Sequence, residues 1–125
     1  MILWIIIIYY FSSQNAVNSS NQSLGVLAFI ENLFSIKIEH GLLRECAHFF
    51  NYAVLGILAY KSLEGKLLII VLFGISISIS DETFQGFIDG RSSSLFDVIV
   101  DSFGFISAIL FSKLFLKKEG IYETE

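Results

Sequence analysis

The stretch LLIIVLFGISISISDETFQGFIDGR, residues 67–91, decides how the chain is read. It opens as an apolar run and ends in two adjacent acids, a glutamine, a third acid and an arginine. A helix rises ~1.5 Å per residue, so about 20 residues are needed to cross a ~30 Å hydrocarbon core. Residues 67–80 alone are too short. If the helix continues through Asp81, Glu82 and Gln85 it reaches the required length and carries those polar groups in its outer turns.

The rest of the chain fits that reading. Its 125 residues are 54% hydrophobic and 16% charged, with a mean hydropathy of +0.71, against about 25% charged for a soluble domain. Further apolar runs cover Ile2 to Phe11, Leu42 to Tyr60, and Leu95 to Leu116 with Lys113 near its end. The runs from Leu42 and Leu95 are long enough to span. The first is short, and it lacks both a basic leader and a small-x-small cleavage site before SSQN. It therefore reads as a short, tilted or truncated transmembrane helix rather than a signal peptide. Residues 12–23, SSQNAVNSSNQS, read as a solvated loop. Leu27, Ile30, Phe34 and Ile38 recur at spacings of three and four, so Leu24 to Ile38 reads as an amphipathic helix in the membrane interface. The expected fold is an all-α membrane protein of about four transmembrane helices plus that interfacial helix.

Charge narrows the function. The net charge of −4, with no basic patch beyond KLFLKKE at 113–119, argues against a nucleic-acid partner. Cys46 is the single cysteine and cannot form an internal disulfide. Lys61, Lys66, Lys113, Lys117 and Lys118 mark cytoplasmic segments by the positive-inside rule. Four spans in the cell membrane with both termini cytoplasmic satisfy this. They place residues 12–43 and 85–94 outside, and make 1–118 the transmembrane domain and 119–125 a cytoplasmic tail.

The polar residues of the spans repeat at helical spacing. Arg44, His48 and Tyr52 are successive turns of one face, Asp81 and Gln85 are four apart with Glu82 beside them, and Asp97 and Asp101 are four apart. A charge at the centre of a spanning helix costs on the order of 2.5–3.5 kcal/mol. These groups are therefore expected to face one another, with Arg44, Arg91 and His48 answering Asp81, Glu82, Asp97 and Asp101. Gly104, Ser107 and Ala108 permit close packing of the last span, and Ser94 is placed to cap it. Trp4, Tyr9 and Tyr10 read as interface anchors, and Cys46 as a packing or lipid-facing residue.

FSSQ (11–14), RECAHFFNYAVLG (44–56) and DETFQGFIDGRSSSLFDVIVDSFG (81–104) resemble the successive signatures of the VanZ-like family of small bacterial integral membrane proteins. The resemblance covers nearly the whole chain. Its third block is the most specific: acid-acid-x-x-Gln, then Gly-Arg, then Asp and Gly, in order. Arg44, His48 and Tyr52 match the second-span motif. Asp81, Glu82, Gln85, Gly90, Arg91, Asp97 and Gly104 match the third block. Glu45, Asn51, Asp89 and Asp101 depart from a usual Lys, Glu, Pro and Asn. The resemblance implies the family's fold and an association with resistance to glycopeptide antibiotics, chiefly teicoplanin and lipoglycopeptides.

Arg44, His48, Tyr52, Asp81, Glu82, Gln85, Arg91, Asp97 and Asp101 are the candidate ligand-binding set. One reading is a non-enzymatic protein that acts on or shields the cell envelope, its outward-facing pocket binding a lipid head group or lipid-linked envelope precursor. Arg44 and Arg91 suit a phosphate through forked hydrogen bonds. A second is an enzyme on a lipid-linked envelope substrate, with His48 as acid or base and Asp81 or Glu82 orienting it. A third is Mg²⁺ or Ca²⁺ held by Asp81, Glu82 and Asp97. The leading reading calls for no cofactor and no metal. A network that only glues three helices together is the plain alternative to all of these.

Overall fold

The computed structural model describes residues 1–63 and 66–116, so Lys117 and Lys118 and the expected 119–125 tail that follows them lie outside the described residues. Five α-helices and no strands are present among them: α1 Ile2–Ser12, α2 Ala16–Phe34, α3 His40–Ser62, α4 Leu67–Gln85 and α5 Leu95–Leu116. The apolar run of residues 67–80 does continue through the acids, and α4 ends at Gln85. Its buried residues Ile70, Gly74, Ser78, Asp81, Glu82 and Gln85 recur at three and four, so one stripe is apolar at its start and polar at its end.

Among the described residues two helices are long and apolar enough to cross a membrane, Leu67–Gln85 and Leu95–Phe115, each with a mean hydropathy of 1.8. The expectation for α3 changes here. It has 23 residues, but Arg44, Glu45 and His48 dilute its first turns. Only 28% and 39% of the apolar windows of α4 and α5 are buried. Leu68, Ile69, Leu72 and Ile79 on α4, and Ile99, Phe103, Leu110 and Phe111 on α5, are exposed. Soluble monomers rarely expose apolar surface on this scale. The arrangement fits a membrane protein.

α3 packs most closely on α5, α4 lies against both, α1 against α4 and α3, and α2 against α3. The apolar core joins Ile8, Tyr52, Leu55, Ala59, Ile70, Phe105 and Ile109. Lipid tails are as apolar as leucine, so in a membrane such helices are held by close packing and internal hydrogen bonds rather than by expulsion of water. Small residues supply the first. A Cβ on Gly56 would lie 2.5 Å from the Phe105 carbonyl oxygen, and one on Gly104 would meet the Phe49 carbonyl. The hydrogen bonds gather beside the Gly104–Phe49 approach, around His48, Asp81 and Asp101.

The polar stretch after α1 is not the loop expected of it. α2 begins at Ala16, where the Asn15 side chain accepts a hydrogen bond from the Asn18 amide at 2.9 Å, a standard N-cap. The Ala16 amide reaches the Asp89 carbonyl at 3.3 Å, tying this end of α2 to the α4–α5 turn. Ser35, left-handed at φ 53°, ends the helix, so Ile38 falls outside it. α2 buries only Leu27 and exposes Val17, Leu24, Val26, Phe29, Leu33 and Phe34. Gly90, at φ 75°, supplies the left-handed residue of the α4–α5 turn that L side chains rarely adopt.

Trp4 also has a partner within the bundle. Its ring is half-buried and its Nε1 donates to the Asn51 carbonyl at 2.9 Å, fastening α1 to α3. Tyr9 donates to Ser80 at 2.7 Å. Cys46 is exposed.

Candidate functional site

The hydrogen-bond network at the polar end of the bundle is built by α1, α3, α4, α5 and the turn between the last two. On α5, the Ser94 hydroxyl accepts the Asp97 amide at 3.2 Å, the cap expected there. This fixes the first turn that carries Asp97 and Asp101. Asp101, fully buried, is met on both oxygens: His48 Nδ1 of α3 lies 3.0 Å from Oδ1, and the Ser78 hydroxyl of α4 donates to Oδ2 at 2.9 Å. Three helices are thus joined through one carboxylate.

A second chain of contacts runs from Asp81. The Tyr52 hydroxyl and Gln85 Nε2 both approach Asp81 Oδ2 at 3.3 Å, and Gln85 Nε2 lies 3.3 Å from the Ser12 hydroxyl of α1. Gln85 Oε1 accepts from Arg91 Nη2 at 2.6 Å, and Arg91 Nη1 reaches the Phe11 carbonyl at 3.5 Å. Glu82 Oε2 accepts the Ser94 amide at 2.9 Å. Arg44 Nη2 lies 3.2 Å from Glu45 and 3.9 Å from Asp97.

The expectation that both arginines answer the acids therefore holds only for Arg44. Arg91, half-buried, bonds to a side-chain amide and a main-chain carbonyl, and no carboxylate lies within 4 Å of it among the described residues. Burial pulls its guanidinium down from the ordinary value, while the fields of Glu82 and Asp81 push it back up. Arginine stays charged under such shifts.

Two adjoining hollows open here. A cleft of about 330 Å³ is lined by Arg44, His48, Tyr52, Asp81, Gln85 and Arg91, together with Ser12, Asn51 and the α2 residues Ser19, Gln22 and Ser23. A neighbouring hollow of about 230 Å³ shares Arg44, Gln85 and Arg91 and adds Asp97, His40 and Ser94. Seven of the nine candidate residues line one or the other. Glu82 and Asp101 line neither and are buried, Asp101 touching the cleft-lining His48. Among the described residues Asp81 Oδ1 and Glu82 Oε1 are buried without a hydrogen-bond partner, and His48, Glu82 and Asp101 bring ligand atoms within 4.8 Å of one another.

Sequence reasoning missed Ser78 and Ser12, both buried within the network. Ser78 carried a readable signal, since it stands three and four residues before Asp81 and Glu82 on the buried stripe. The α2 serines carried none, because their part in the cleft depends on a helix the polar composition concealed.

Comparison with curated proteins and with solved structures finds no match. The family model described as VanZ/LLP1 matches residues 1–116. That span includes every helix described above and every residue of the cleft, and the chain belongs to the VanZ/LLP1 family.

Proposed function

We propose that this chain is a four-span cell-membrane protein, both termini cytoplasmic, whose cleft opens at the outer face and binds the anionic head group of a membrane lipid or lipid-linked envelope precursor. Binding there would alter or shield the envelope, and glycopeptide resistance is the phenotype that family membership brings to this reading. The observation that carries it is Arg91. It lines both hollows beside Arg44, yet its hydrogen bonds go to neutral acceptors. A phosphate oxygen is the partner a planar guanidinium fork takes best.

The test is mass spectrometry of lipid retained by the detergent-extracted protein. Wild type is expected to hold a phospholipid or lipid-linked precursor. Arg91→Ala is expected to retain it about 10- to 100-fold less, the worth of one charge-assisted hydrogen bond of ~1.5–3 kcal/mol. Arg91→Lys should recover part of the loss. Full retention by Arg91→Ala would contradict the proposal.

Orientation has its own check. In a Cys46→Ser background, a cysteine at Ser93 should react with a membrane-impermeant thiol reagent in intact cells, and one at Ser62 should not. Both positions are exposed on the bundle, and the reverse labelling would put the cleft on the cytoplasmic side.

A second reading rests on the His48–Asp101 pair. A carboxylate on Nδ1 at 3.0 Å orients the imidazole of a residue that lines the cleft, the arrangement of a general acid or base. Turnover of the retained lipid, abolished in His48→Ala, would favour an enzyme over a binder.

A further inference from the structure

Behind the cleft, His48 of α3, Glu82 of α4 and Asp101 of α5 converge from three helices, with one ring nitrogen and one oxygen of each acid within 4.8 Å of one another. Glu82 is 1% exposed and Asp101 0%. Both acids are held in place from outside the cluster. Ser78 donates to Asp101 Oδ2 and the Ser94 amide to Glu82 Oε2. What remains is an unfilled demand: Glu82 Oε1 is buried and has no hydrogen-bond partner among the described residues.

The charges around it do not balance by direct contact. Asp81, Glu82, Asp97 and Asp101 are all buried. Arg44 reaches Asp97, His48 reaches Asp101, and Arg91 touches no carboxylate among the described residues. A buried carboxylate left without a counter-charge is costly in a low-dielectric site. A doubly charged ion would offset the excess and give Glu82 Oε1 its partner.

We propose that a divalent cation binds between His48, Glu82 and Asp101. One imidazole nitrogen with two carboxylate oxygens is a donor set for Zn²⁺ or Mn²⁺, whereas Mg²⁺ and Ca²⁺ prefer oxygen alone. Ser78 and the Ser94 amide then orient the two acids, as hydrogen-bonding groups behind metal ligands commonly do. The set differs from the carboxylate trio Asp81, Glu82 and Asp97 considered from sequence. Asp97 turns to Arg44, and Asp81 to Tyr52 and Gln85. The ion site meets the head-group cleft only at His48, which lines it, while Glu82 and Asp101 lie behind it.

The experiment strips the detergent-solubilised full chain with a chelator and titrates it with Zn²⁺, Mn²⁺ or Mg²⁺ alone, following heat of binding and thermal unfolding. One Zn²⁺ or Mn²⁺ per chain is expected, with Tm raised by roughly 5–10 °C at about 100-fold excess over Kd. Mg²⁺ should bind far more weakly. Glu82→Gln should weaken Zn²⁺ binding by more than about 100-fold, and Ser78→Ala by about 10-fold. Glutamine can still accept the Ser94 amide, so metal-free Glu82→Gln should melt at or above metal-free wild type. Absence of saturable Zn²⁺ and Mn²⁺ binding to wild type would overturn the site, as would binding undiminished in Glu82→Gln. A metal-free Glu82→Gln that melts below metal-free wild type would also count against it, because the bare carboxylate would then be stabilising by itself. Retained lipid is measured in the same samples, so the ion and the head group stand or fall separately.

Discussion

Gly104→Leu is expected to abolish the folded bundle. The smallest addition, a Cβ, would meet the Phe49 carbonyl of α3, and Gly56 on α3 makes the reciprocal approach to the Phe105 carbonyl of α5. Main-chain atoms cannot turn aside as a side chain can, so the two helices must move apart. Overpacking of this kind typically costs 1–3 kcal/mol, and an obstruction by backbone belongs at or above ~3 kcal/mol. The damage reaches the site. Phe49 follows His48, and Gly104 lies three residues past Asp101, so separating the helices there also pulls at the 3.0 Å His48–Asp101 contact. Unfolding of the purified protein in rising SDS, followed by circular dichroism, measures the effect. Gly25→Ala is the control. Nothing lies within 4 Å of a Cβ there, and alanine in a helix is worth up to about 1 kcal/mol over glycine.

Asp101→Ala is the second large loss expected. Asp101 is fully buried and satisfies both His48 and Ser78. Alanine would strand an imidazole nitrogen and a hydroxyl and leave a gap where three helices meet. Two buried polar groups left without a partner, at about 1–3 kcal/mol each, together with the gap, put the loss at roughly 3–5 kcal/mol. Asp101→Asn keeps the size and can accept at Oδ1 while reorienting the other contact, so about 1–2 kcal/mol is expected of it. The same SDS titration in chelator separates the two variants. Equal stability of wild type and Asp101→Ala would mean that the three-helix junction does not form.

Much of this architecture was legible because burial imposes periodicity. The polar end of α4 could be placed from Asp81, Glu82 and Gln85 alone, since only a continuous helix made the run long enough to span. Gly104 and Ala108 marked the close face of α5, and Ser94 its cap. Other features depended on contacts that local patterns do not encode. The start of α2 is held by Asn15 and by the Asp89 carbonyl, and a serine- and asparagine-rich segment gives no apolar period to reveal it. Pairing by sign assigned Arg91 to the acids. From the turn, however, its fork meets Gln85 first, and Gln85 carries the connection on to Asp81. Trp4 was assigned to the interface by residue type, but a carbonyl of α3 lies within reach of its indole.

Whether α3 and the 86–94 turn grip one ligand is tested most directly by lipid retention across Arg44→Ala, Arg91→Ala and the double variant. Two guanidiniums on a shared head group predict that each single variant loses about 10- to 100-fold and that the double loses little more, a coupling of at least ~1 kcal/mol. Losses that simply multiply, or wild-type retention by either single variant, would contradict a common site.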